Sequence, residues 1–208
     1  MRSELNDEQL MLKYAKGDVS AFEVLYFKHK GGLFRYCLRQ FSNRAIAEEC
    51  FQEIWMKVIN NRTNYQPTAL FTTYLYRIAQ NHVIDIFRKE KKRANDCEYD
   101  EISSEIITPI QQVTEAEIKD QQAMIVELRK QISSLPFEQK NTLLLKLDTG
   151  LSLDEISHVL DCGKETVKSR LRYATSKLKE LLANPLFAEN QLAEQKISSK
   201  QKLGVEKK

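Results

Sequence analysis

Glycine and proline are too scarce in this chain to allow anything but long, uninterrupted segments. Six glycines and four prolines are spread over 208 residues, and the apolar residues between them recur at three and four positions, the helical spacing, with no alternation of the strand type. The expected fold is therefore all-α. Residues 5–42 read as two helices parted near Gly17, Asp18 and Val19, with Phe22, Leu25, Tyr26, Leu33, Phe34 and Leu38 as apolar positions. A third helix, residues 45–59, repeats Ile46, Cys50, Ile54 and Val58 every four residues, flanked by Phe51, Trp55 and Ile59. One face of it should be wet and one buried. The polar stretch from Asn60 to Thr68 interrupts the pattern, and Thr68 is placed to cap the next helix. From Ala69 to Lys92 a long helix carries Leu75, Ile78, Ala79 and Ile86 on one side, while Arg77, Asn81, Asp85 and Arg88 step along another.

Charge divides the chain further. Residues 1–93 hold 16 basic and 10 acidic side chains, residues 94–127 hold 1 and 9, residues 128–182 hold 10 and 7, and residues 183–208 hold 5 and 3. The net charge of +3 thus conceals two basic blocks around an acidic connector. Basic blocks suit a polyanion, because Lys and Arg release condensed counterions when they neutralise phosphates. A solvated surface is the plainer alternative. The expected organisation is a helical domain over 5–93, a flexible acidic linker over 94–127, a second helical domain over 128–182 and a disordered tail over 183–208.

The second domain has the clearest punctuation. Pro136 is expected to open a helix at its first position and Gly150 to end it. Ser152 and Glu155 have the spacing of a capping box, residues 161–163 form a turn, and a further helix runs from about Lys164 to Leu182 with Val167, Leu171, Ala174, Leu178 and Leu181 inward. A short helix, a tight turn and a longer basic helix make a helix-turn-helix, whose second helix enters the major groove of DNA. Residues 164–179 hold six basic side chains against Glu165 alone, and Thr166 and Ser169 offer hydroxyls at the end where base edges are met. An ordinary helical hairpin with a charged outer face fits the same pattern.

Several functions are disfavoured. His29, His82 and His158 are scattered, and no phosphate loop, metal-ligand spacing or nucleophile constellation is present, so no catalytic site, cofactor or metal is expected. Cys37, Cys50, Cys97 and Cys162 form no C-x-x-C pair and read as reduced structural thiols. No apolar run approaches a membrane span and the N-terminal residues lack the apolar core of a signal peptide, which makes the cytoplasm the expected location.

Three segments resemble a known family. Residues 150–160 (GLSLDEISHVL) with 165–171 (ETVKSRL) and the entry Ser134-Leu135-Pro136 look like the promoter-binding C-terminal domain of bacterial sigma factors of the extracytoplasmic-function group, the small sigma-70-type initiation factors of RNA polymerase. Residues 47–58 (AEECFQEIWMKV) resemble that family's polymerase-binding helix, and residues 71–88 (FTTYLYRIAQNHVIDIFR) its helix for the minus-ten element. The resemblance implies that Glu48, Glu49, Gln52 and Glu53 grip the polymerase clamp. It implies that Arg77, Asn81 and Arg88 contact the minus-ten element, with Asp85 orienting Arg88, and that Asn61, Asn64 and Tyr65 hold a base turned out of the duplex. It also implies that Lys164, Thr166, Lys168, Ser169, Arg170 and Arg172 meet the minus-thirty-five element.

Core RNA polymerase, through its clamp and flap regions, promoter DNA and an anti-sigma factor are the implied partners, and the acidic linker would lie near the polymerase's RNA path. Tyr173 stands where many members carry Arg, His158 replaces a small residue, and Asp161 stands where Gly is common. Two other functions fit the helical pattern: a stand-alone helix-turn-helix regulator with residues 1–93 as sensor or dimerisation domain, and a helical adaptor that binds only protein.

Overall fold

The computed structural model describes residues 5–96 and 128–182. All regular structure among them is helical: α1 (Asp7–Ala15), α2 (Val19–Gln40), α3 (Arg44–Asn60), a 3₁₀ turn (Arg62–Asn64), α4 (Phe71–Asp96), α5 (Phe137–Thr149), α6 (Leu153–Leu160) and α7 (Lys164–Leu182). Residues 128–133 are also helical. The expected all-α class is what the chain adopts. The greater part of the acidic linker, residues 97–127, and the tail, residues 183–208, lie outside the described residues.

Local chemistry explains each boundary. Asn6 and Gln9 form a reciprocal capping box at the start of α1, and Gly17, at φ +102°, makes the turn into α2 that an L side chain would resist. Asp18 caps α2 through the Ala21 N–H, and Asn43 caps α3 through the Ala45 N–H at 2.8 Å. The start of α4 departs from expectation. Thr68 does not cap it; the helix begins at Phe71, whose N–H donates to Glu8 Oε1 on α1 at 2.6 Å. A carboxylate brought from 63 residues away therefore replaces the local hydroxyl, and its charge also complements the helix dipole. Pro136 precedes the first helical residue of α5 instead of occupying it, with its carbonyl accepting from Gln139 and Lys140.

Among the described residues, 5–96 and 141–169 fall in one compact unit, and 128–140 and 170–182 in the other. In the first unit, Met11, Leu25, Leu33, Tyr36, Cys37, Ala47, Cys50, Ile54, Val58, Phe71, Leu75, Ala79 and Val83 are fully buried. The four-residue repeat of α3 is thus the core-facing stripe from Cys50 onward, while Ile46 is only half-buried. Phe22, Tyr26, Phe34, Phe51 and Trp55 extend it as an aromatic cluster with centroids 5.1–6.5 Å apart in tilted and edge-on pairs. Asn141–Ser169 fall with the N-terminal helices, where buried amides tie α5 to α2 and α4.

Candidate nucleic-acid interface

On α4 the core residues Phe71, Leu75, Ala79 and Val83 occupy one stripe, and from residue 77 onward a second row steps along a different side of the helix. Arg77, Asn81, Asp85 and Arg88 are all exposed. At 1.5 Å per residue, the row from Arg77 to Arg88 is about 16 Å long. Arg88 Nη1 lies 3.9 Å from Asp85 Oδ1, an exposed pair at the outer limit of an ion pair that contributes little to stability and leaves the guanidinium free to move. His82, half-buried on this helix, has its pKa held below the usual value by burial and by the Lys57 ammonium, whose Nζ lies 2.8 Å from Nδ1.

The loop before α4 places two expected residues outward and one inward. Asn61 and Asn64 are exposed. Tyr65 is not: it is 7% exposed, packed edge-on against Tyr74 at 5.0 Å and Phe71 at 6.4 Å. Burial pushes its pKa to about 12, and the hydroxyl has no hydrogen-bond partner among the described residues. The ring is a wall of the loop and offers no open face on which a base could stack. Arg62, which the sequence did not single out, donates to the Ile59 carbonyl at 3.1 Å and holds the loop's shape.

The helix-turn-helix begins with the expected capping box: Glu155 N–H donates to Ser152 Oγ at 3.2 Å and Ser152 N–H to Glu155 Oε2 at 2.7 Å. Asp161 adopts the left-handed conformation, φ +49°, where glycine would be easiest. Asp is among the few side chains tolerated there, so the departure from a glycine leaves the turn intact. On α7, Lys164, Thr166, Lys168 and Arg172 are exposed and Ser169 is half-buried. Lys164 pairs with Asp154 at 2.7 Å and Lys168 with Glu165 at 2.6 Å. Both pairs are solvent-facing and contribute little to stability. Arg170 differs. It is 23% exposed and its Nη2 sits 2.7 Å from Glu138 Oε2, within the second unit, so this guanidinium already braces α5 against α7.

The acidic face of α3 lies opposite Ala47, Cys50, Ile54 and Val58. Glu49, Gln52 and Glu53 are exposed, and Glu48 is half-buried and bonded to Arg44 Nε at 2.7 Å. Met56, 48% exposed, continues the Glu49–Gln52 line one turn further. Beside it, Tyr26, Lys30, Gly31, Phe34, Glu48, Phe51 and Gln52 line a shallow groove between α2 and α3. Phe27 is 65% exposed at its edge, with Lys30 Nζ 4.2 Å from its ring centroid. Sequence periodicity overlooked Phe27 and Met56 because an apolar residue is ordinarily assigned to the core; the signal was their position off the buried stripe.

Residues 25–93 match the family described as Sigma-70 region 2, and residues 116–180 match Sigma-70, region 4. The ECF RNA polymerase sigma factor SigW of Bacillus subtilis is 30% identical over 177 residues, covering 80% of this chain and 91% of that protein. The chain belongs to the ECF sigma factors. The RNA polymerase sigma-H factor of Pseudomonas aeruginosa is similar over a longer stretch, 28% identical with 91% of this chain and all of that protein covered. The ECF sigma-E factor of Escherichia coli is 26% identical across 82% of this chain and 91% of that protein.

Two solved structures share the fold. The Bartonella quintana sigma factor RpoE in complex with the anti-sigma factor NepR has a TM-score of 0.67 at 22% identity, over 78% of this chain and 97% of that one. CnrH in complex with the cytosolic domain of CnrY has a TM-score of 0.63 at 19% identity, over 85% of this chain and 96% of that one. As an ECF sigma factor the protein binds core RNA polymerase and promoter DNA and directs promoter-specific initiation, a non-enzymatic role in which polymerase performs the chemistry. Among the described residues, no helix is long and apolar enough to cross a membrane, and no cluster of three potential metal ligands occurs.

Proposed function

We propose that residues 5–93 and 128–182 act as two functional modules, the first docking on the polymerase clamp and reading the minus-ten element, the second reading the minus-thirty-five element near the polymerase flap. The observation that carries this reading is the one-sided row Arg77, Asn81 and Arg88, wet along its whole length on a helix whose other face is core. Arginine and asparagine there supply donors for phosphates and base edges, and Asn61 and Asn64 in the adjoining loop add amides for an unstacked base. Tyr65 supports that loop from beneath. On α7, Lys164, Thr166, Lys168, Ser169 and Arg172 form the minus-thirty-five set, with Arg170 positioning the helix through Glu138.

For polymerase, Glu49, Gln52 and Glu53 offer the charged part of the contact and Glu48 its inner edge. Met56 and the α2–α3 groove add apolar area of the kind found at the energetic centre of protein interfaces. The occupant is a basic, partly apolar helical surface of the clamp. An anti-sigma factor is the proposed regulator, on the strength of the two similar folds solved with one or with a cytosolic partner domain, and the cytoplasm is the proposed site of action. The test is reconstitution with core polymerase on promoter DNA. Arg77→Ala with Asn81→Ala is expected to abolish open-complex formation while leaving core binding unchanged, and unchanged initiation would overturn the assignment of α4.

A further inference from the structure

Two basic side chains of the first unit stand against each other at the margin of the polar row on α4. Lys57 of α3 places Nζ 2.8 Å from Nδ1 of His82 on α4, and both side chains are half-buried. An ammonium group has donors and no acceptor, so the ring nitrogen supplies a lone pair and the imidazole is neutral. Burial is the main cause of the lowered His82 pKa, and Lys57 adds to it. The charged groups facing the ring are Lys57 and Glu53 from α3 and Asp85 and Lys89 from α4. The two carboxylates favour a proton on His82 and the two lysines oppose it.

The pair borders the surface assigned to the minus-ten element. His82, Asp85 and Lys89 are three and four positions apart and share one side of α4, and Asp85 also belongs to the exposed row of Arg77, Asn81 and Arg88. Asp85 has Arg88 as its partner at 3.9 Å. Among the described residues, no ion pair engages Lys57 or Lys89. A backbone phosphate suits this edge. Its oxygens accept from an ammonium and from an imidazolium alike, and its charge offsets the repulsion between the two cations. A base edge carries no charge with which to do so.

We propose that Lys57 and His82 form a DNA-phosphate subsite at the edge of the minus-ten surface, in which an arriving phosphate oxygen takes over the Lys57 N–H and His82 Nδ1 gains a proton from solvent. Lys57 is a phosphate ligand in this subsite, and His82 both positions it and becomes a second donor. One proton is taken up per complex and no other bond is made or broken. The DNA-bound state has the higher His82 pKa and so binds more protons than the free state. Affinity therefore rises as pH falls from the bound-state pKa to the free-state pKa, and His82 contributes no slope outside that interval. Each unit by which DNA raises the pKa strengthens binding about tenfold.

The inference rests on the proposed placement of the minus-ten element on α4, and the test separates the two. Core polymerase reconstituted with the full chain is titrated with a promoter fragment between about pH 5.5 and 8, and at several salt concentrations at neutral pH. Wild type, His82→Gln and Lys57→Gln are compared, since glutamine at 82 keeps a neutral acceptor for Lys57 and cannot take up a proton. The wild-type affinity is expected to rise toward the acid end at least about threefold more than that of His82→Gln, the effect of about half a unit of pKa shift. Lys57→Gln is expected to weaken binding at neutral pH and to reduce the magnitude of the salt slope by about 1. A pair that only stabilises the fold would lower the thermal midpoint and move neither readout. Parallel pH profiles for wild type and His82→Gln, or an unchanged salt slope in Lys57→Gln, would overturn the proposal. Loss of open-complex formation in Arg77→Ala with Asn81→Ala beside such results would sink the subsite alone, whereas unchanged initiation in that variant would sink the placement of the element.

Discussion

Glu8, in the first turn of α1, accepts the backbone N–H of Phe71 at 2.6 Å and so completes the N-terminus of the helix that carries Arg77, Asn81 and Arg88. The polar row is thereby anchored by a side chain from another helix, 63 residues away in sequence. Removing a capping side chain costs about 1 kcal/mol, and up to about 2 kcal/mol in less forgiving sites. Glu8→Ala is expected to lower the denaturation midpoint accordingly and to weaken minus-ten recognition without changing core binding. Urea unfolding and open-complex assays with the same protein separate these effects.

The Arg170–Glu138 pair yields a second expectation. A side chain that neutralises a phosphate contributes a slope of about −0.9 to log affinity against log salt. Arg172→Ala should reduce the magnitude of the slope for minus-thirty-five DNA by about 1, whereas Arg170→Ala should leave it nearly unchanged while destabilising the module by up to about 1 kcal/mol. Equal changes in slope would show that Arg170 leaves Glu138 to contact DNA.

Clamp binding should depend on both charge and apolar contact. Gln52→Lys with Glu53→Lys is expected to weaken binding to core polymerase at least about 10-fold, a loss of about 1.4 kcal/mol, and Phe27→Ser or Met56→Ser to weaken it without altering its salt dependence. Titration of labelled protein with core polymerase at two salt concentrations measures both.

Stability should fall on the acid side. Burial lowers the pKa values of His29 and His82, with Lys57 adding to the effect at His82. A histidine with a depressed folded pKa binds fewer protons in the native state than unfolded, so stability rises with pH between its folded pKa and the unfolded value near 6.5. It is fully present above that value and is lost as pH falls through the window. Lys57 can donate to His82 Nδ1 only while the imidazole is neutral. His82→Gln should flatten part of this dependence in thermal melts between about pH 5 and 7.

Features written in local sequence were legible in it. The capping box of Ser152 and Glu155, the stop at Gly150 and the strained turn at Asp161 each depend on a few neighbouring residues, and the outward row on α4 follows from helical periodicity alone. The features that escaped depend on distant partners. Nothing in local sequence marks Gln40, Gln80 and Asn141 for burial, because they satisfy one another across 61 and 101 residues. Thr68 was the nearest capping hydroxyl, yet Glu8 takes the position. Tyr65 has the chemistry of a stacking platform, but Phe71 and Tyr74 claim its ring. Arg170 sits within a basic helix, and only Glu138 on another helix sets it apart.

The most direct test of the central claim is transcription from a promoter library by core RNA polymerase reconstituted with this protein. The account predicts discrete starts that require both promoter elements, and negligible specific DNA binding when polymerase is omitted. Tight operator-like binding by the protein alone, with no association with core polymerase and no transcript, would contradict it.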